Sequence, residues 1–83
     1  MNILYFAWVR QKVGRSEETI ALTPELRTVR DLAAFLASRG GGYAEAFADM
    51  TRMRAAVNQV HTGLDATLGA GDEVAFFPPV TGG

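Results

Sequence analysis

The sequence predicts a single α+β domain, a mixed sheet with one main helix laid across it. Three observations carry that expectation. The 83 residues, 48% of them hydrophobic, suffice for one compact core and leave nothing for a second. Short β-branched and aromatic runs open and close the chain. Between them one stretch, Val29 to Leu36, has clear helical periodicity.

Ile3 to Val9 reads as a central strand with both faces apolar, Ile3, Tyr5, Ala7 and Val9 on one side and Leu4, Phe6 and Trp8 on the other. Val13-Gly14-Arg15-Ser16 supplies a turn, and Glu18 to Leu22 returns as a second strand with Ile20 and Leu22 inward, closing a hairpin. Pro24 stops the sheet. Thr28 begins the helix with a capping-box pattern in which Asp31 replaces the usual Glu or Gln. Val29, Leu32, Ala33 and Leu36 form its apolar face, Phe35 flanks them, and Gly40-Gly41-Gly42 ends it. Tyr43, Phe47 and Met50 predict a shorter helical turn or two. Met53 to Val60 is a third strand, followed by a loop from His61 to Asp72 that Leu64 and Leu68 anchor to the core. Glu73 to Phe77 is the final strand. A hairpin, a helix with one apolar face and a last strand inserted beside the first make the β-grasp, or ubiquitin-like, plan. The expected division is a domain over 1–77 and an extended tail over 78–83.

Composition narrows the function. Eight Lys+Arg against nine Asp+Glu give a net charge of -1, without the basicity that holds nucleic acid. The first fifteen residues carry Arg10, Lys12 and Arg15 and no acid; a solvated strand end and turn explains them, and a docking patch for an acidic partner is the sharper alternative. The absence of cysteine excludes thiol chemistry by this chain, and a single histidine makes a self-contained metal site improbable. The apolar start lacks a basic leader region and no run is long enough to span a membrane, so the expected location is cytoplasmic. No catalytic set emerges: His61 is the lone imidazole, Gly40-Gly41-Gly42 lacks the Lys-Ser/Thr of a phosphate loop, and Asp72-Glu73 reads as a solvated turn.

The C-terminus is different. After Val74-Ala75-Phe76-Phe77 come Pro78 and Pro79, which lack amide hydrogens and direct an extended path, and then Val80-Thr81-Gly82-Gly83. Six extended residues reach roughly 20 Å. Glycine gives this tip a thin profile and a sterically open carboxylate, suited to entering another protein's narrow active site. Strand alternation places Phe76 in the core and Phe77 outward, on the face expected to hold Phe6 and Trp8 as well.

At these residues the chain resembles the MoaD-like sulfur carriers, the small-subunit family of molybdopterin synthase within the ubiquitin superfamily. The resemblance runs nearly end to end. It is close at Phe6-Ala7 with Val9-Arg10, at Ala55-Ala56-Val57-Asn58-Gln59, and from Gly71 through Phe76-Phe77-Pro78-Pro79-Val80-Thr81-Gly82-Gly83. It implies that an adenylyltransferase related to ubiquitin-activating enzymes spends ATP on the Gly83 carboxylate, and that the product is a thiocarboxylate (1-thioglycine) at Gly83. Sulfur then passes to cyclic pyranopterin monophosphate. Gly83 is the carrier and Gly82 the clearance residue; no cofactor is bound, and the chain is not an enzyme on its own. Catalytic groups belong to the large synthase subunit, in a heterotetramer with two copies of each subunit, with no nucleic-acid or membrane partner. Carried over by position, Phe6, Phe77, His61, Pro78, Pro79, Val80 and Thr81 touch the partners, with His61 standing where relatives often place an aliphatic residue. Two alternatives share the fold: a carrier for another sulfur acceptor, such as thiazole or tRNA, and a β-grasp binding module whose tail is incidental.

Overall fold

The computed structural model describes residues 1–79. Strand β1 (Asn2–Tyr5) is followed by helix α1 (Ala7–Val13), strand β2 (Glu17–Thr19), helix α2 (Val29–Ala37), helix α3 (Gly41–Ala46) and a 3-10 turn (Met50–Arg52). Strands β3 (Arg54–Val57), β4 (Val60–Thr62) and β5 (Glu73–Phe77) complete one sheet in the order β2-β1-β5-β3-β4. The two terminal strands pair in parallel at its centre and the other pairings are antiparallel, which is the mixed β-grasp sheet.

The core lies between the sheet and α2. Ile3, Tyr5, Ala55, Val74 and Phe76 point into it from the strands, and Val29, Leu32, Ala33 and Leu36 from the helix. Thr28 and Asp31 form a complete capping box, so the short acid serves as well as the expected Glu. Phe47 meets Phe76 edge to face at 4.9 Å, and Leu68 is buried as the anchor of the long connection.

Four sequence expectations are corrected. Ile3 to Val9 is not one strand: β1 ends at Tyr5 and the chain enters α1. Beyond Phe77, Pro78 and Pro79 offer no amide hydrogens, so a longer β1 would lack a ladder partner there. Leu22 is exposed rather than inward, because β2 already ends at Thr19. Gly40-Gly41-Gly42 does not simply stop α2; it begins α3, and a Cβ on Gly42 would overlap the Lys12 carbonyl of α1. The segment after Val60 is strand β4, joined to β3 by a two-residue loop in which Asn58 and Gln59 both have positive φ. Asn58 also ties the start of β5 down, its side chain donating to Asp72 at 3.0 Å and accepting from the Glu73 amide at 3.0 Å.

One polar cluster lies against the core. The Glu18 carboxylate accepts hydrogen bonds from the Tyr5 hydroxyl (2.8 Å), the Tyr43 hydroxyl (2.5 Å) and the Arg39 guanidinium (2.7 Å). It thereby joins β1, β2, α3 and the segment between the two later helices. Burial works to raise the Glu18 carboxyl, but the hydrogen bonds from Arg39, Tyr43 and Tyr5 more than offset it and hold the group below the ordinary glutamate range. Burial, reinforced by Glu18, pushes the Tyr5 hydroxyl far up, so it remains a donor.

Candidate functional site

Because side chains alternate along a strand, the residues between the core positions face outward. Cross-strand register makes Glu17, Leu4, Ala75, Ala56 and His61 one row over all five strands. The next row toward the C-terminal end of β5 holds Phe77 opposite Arg54. Phe6 extends this row, since its amide donates to the Phe76 carbonyl at 3.1 Å and so continues the β1–β5 ladder by one residue. The outward face is therefore most apolar where β5 ends.

Phe77 and His61 meet there with ring centroids 5.1 Å apart and planes tilted by 51°. They are diagonal across β3, and the small Ala56 lies between their strands. Ala56 is only 6% exposed although it belongs to no part of the inner core, which is the mark of a residue roofed by its neighbours on the outer face. Phe6 is 48% exposed, and Phe77, Pro78 and Pro79 are half-buried. Together these residues make a contiguous apolar patch beside the strand exit, a surface suited to being covered by another protein.

The structure thus brings together Phe6, Phe77 and His61, with His61 on strand β4 rather than in the expected loop. It separates Trp8 from them. Trp8 lies on α1, half-buried, with the Arg52 guanidinium 5.5 Å over its ring, and does not share the outer sheet face. Pro78 and Pro79 follow β5 directly; Val80, Thr81, Gly82 and Gly83 lie outside the described residues.

Two members of the surface escaped the sequence reading. Arg54, beside Phe77, donates to the Thr51 and Met53 carbonyls at 3.2 and 2.9 Å, and this holds the charge at the rim. Ala56 leaves room for the two rings. Alternation from the buried Ala55 would have found both, had the strand been assigned its pairing. Among the described residues no group of three or more His, Cys, Asp or Glu side chains is placed to hold a metal, and no helix is long and apolar enough to cross a membrane.

The model of the ThiS family matches residues 3–83. The chain belongs to the ThiS family. The molybdopterin synthase sulfur carrier subunit of Escherichia coli is 42% identical over 83 residues, covering 100% of this chain and 99% of that protein. The subunit of the same name from Haemophilus influenzae is 36% identical, covering 100% of this chain and 99% of that one. Among solved structures, SAMP1 from Haloferax volcanii superposes with a TM-score of 0.74 at 25% identity, covering 100% of this chain and 98% of that one. The ThiS-family match begins at Ile3 in β1 and includes both the outward aromatic face and the glycine pair.

Proposed function

We propose that the chain is the sulfur carrier of molybdenum cofactor biosynthesis, acting through a thiocarboxylate at Gly83. The observation that carries this reading is the full-length similarity to proteins named molybdopterin synthase sulfur carrier subunits. The apolar face at the end of β5 supports it, because a carrier needs a surface that orients its C-terminus in a partner.

The chemistry needs little from this chain. A partner adenylyltransferase joins the Gly83 carboxylate to the AMP moiety of ATP and releases pyrophosphate, which makes the carbonyl carbon electrophilic. The terminal sulfur of a persulfide attacks that carbon and AMP leaves. A thiol then cleaves the resulting acyl disulfide, releasing a disulfide and leaving the thiocarboxylate. In the large synthase subunit the thiocarboxylate gives its sulfur to cyclic pyranopterin monophosphate, and the Gly83 carboxylate is restored by water. Gly82 leaves the approach to that carbon clear, and Phe6, Phe77 and His61 hold the partner.

Intact mass spectrometry of the protein, incubated with a matched activating enzyme, ATP and a persulfide source, tests this directly. The expected product carries one oxygen-to-sulfur exchange localised to Gly83, absent when ATP is withheld. A C-terminus that stays unmodified under those conditions overturns the reading.

A further inference from the structure

We infer that Ala7 is a positioning residue for docking: its left-handed backbone turns the chain out of the sheet directly after Phe6 and so fixes the Phe6 ring beside Phe77. The inference rests on the carrier reading, since it concerns the surface that meets the large subunit.

Three non-glycine residues among those described have positive φ: Ala7 at 52°, Asn58 at 52° and Gln59 at 68°. The last two form the β3–β4 hairpin loop, where such angles match the twist of the strands. Ala7 belongs to no hairpin. An L residue with a Cβ is disfavoured in this region, and asparagine at least offers a polar side chain that eases it; alanine offers none.

The surroundings show what the angle achieves. The Phe6 amide donates to the Phe76 carbonyl at 3.1 Å, making Phe6 the last rung of the central ladder. Its carbonyl accepts from the Val9 and Arg10 amides at 3.1 and 3.3 Å, making the same residue the start of α1. Val9 must enter the core, where it is 0% exposed. Ala7 converts strand into helix in one step with its φ reversed, whereas extended Thr28 leads into Val29 of α2 without any such reversal, so the angle at Ala7 is not a requirement of starting a helix. Phe6 keeps its extended backbone (φ -127°, ψ 155°) and its outward side chain. Strain held beside an exposed aromatic ring, at a spot the core does not require to be exposed, points to use of that ring.

The test is a double-mutant cycle on affinity for the large subunit of molybdopterin synthase, measured by calorimetry with the full chain. Ala7→Gly and Ala7→Asn, both at ease in the left-handed region, retain affinity within about twofold. Ala7→Val, β-branched and averse to it, weakens binding roughly tenfold. In a Phe6→Ala background Ala7→Val causes no further loss, because the ring it misplaces is gone. Equal losses in both backgrounds, or no loss in either, overturn the inference. Thermal melts accompany each variant, and Ala7→Leu replaces Ala7→Val if the latter is unfolded at the assay temperature. Failure of the unsubstituted chain to bind the large subunit would instead remove the carrier reading itself.

Discussion

Glu18 shows how much one side chain can organise in a domain of this size. Its carboxylate is acceptor to two tyrosines and two arginines, Arg39 at 2.7 Å and Arg15 at 3.5 Å, with a side chain only 7% exposed, so its neighbours are arranged around a fixed negative charge. Removing it leaves Tyr5 and Tyr43 without their acceptor and Arg39 without its partner. Glu18→Ala is expected to lower stability by about 2–3 kcal/mol in urea unfolding, near the lower bound for a broken buried pair because Arg39 is partly solvated. The sign of the pH effect follows from the depressed carboxyl. Its stabilisation is complete above the ordinary glutamate value of about 4.3 and is lost as pH falls below that, through the native value. Melting temperature measured from pH 7 down to pH 3 should therefore fall more steeply for the parent than for Glu18→Gln.

At the scale of elements, the packing of α3 on α1 depends on Gly42. The Lys12 carbonyl lies where a side chain would begin, and that carbonyl is backbone, unable to swing aside. Gly42→Ala is expected to cost about 3 kcal/mol, the upper range for overpacking, read as a lower urea midpoint with an unchanged slope. Gly41→Ala, which meets no atom within 4 Å, costs less, although its φ of 55° still favours glycine. The elements also divide by how legible they were. Helix α2 announced itself through Thr28, Asp31 and the Val29–Leu36 stripe, all local signals. Helix α1 did not, because Ile3 to Val9 is one continuous apolar run rich in β-branched and aromatic residues, as a buried strand would be. Its clue was Gly14, which has φ 89° and whose amide donates to the Arg10 carbonyl at 2.8 Å, a helix stop mistaken for a hairpin turn.

For the whole molecule, the central fact is that the strand leading to the C-terminus is also the middle of the sheet. β5 is flanked by β1 and β3, and its inward Val74 and Phe76 are fully buried. The outward side of the same strand carries Phe77, so the core and the proposed docking surface use opposite faces of one element. Phe77→Ala is accordingly expected to weaken large-subunit binding by about 2 kcal/mol, a loss typical of an interface aromatic, while shifting stability far less. A direct titration paired with a thermal melt checks both halves. Comparable losses in stability and binding would place Phe77 in the fold rather than at the interface.

The sequence by itself determined the β-grasp class, the capped helix, the final strand and the Phe76/Phe77 division. Each of these rests on local propensity or on a period that neighbouring residues share. It also supplied the glycine pair and the family resemblance, through a motif that needs no coordinates. Only the tertiary structure decided where β1 stops, that His61 lies on a strand with its ring against Phe77, and that Trp8 leaves the face Phe6 and Phe77 share. Those outcomes depend on pairing between segments distant in sequence, with the prolines after β5 setting the useful length of β1 and the small Ala56 letting two rings meet across β3. No window along the chain contains both partners of such a contact, so no local pattern could have expressed it.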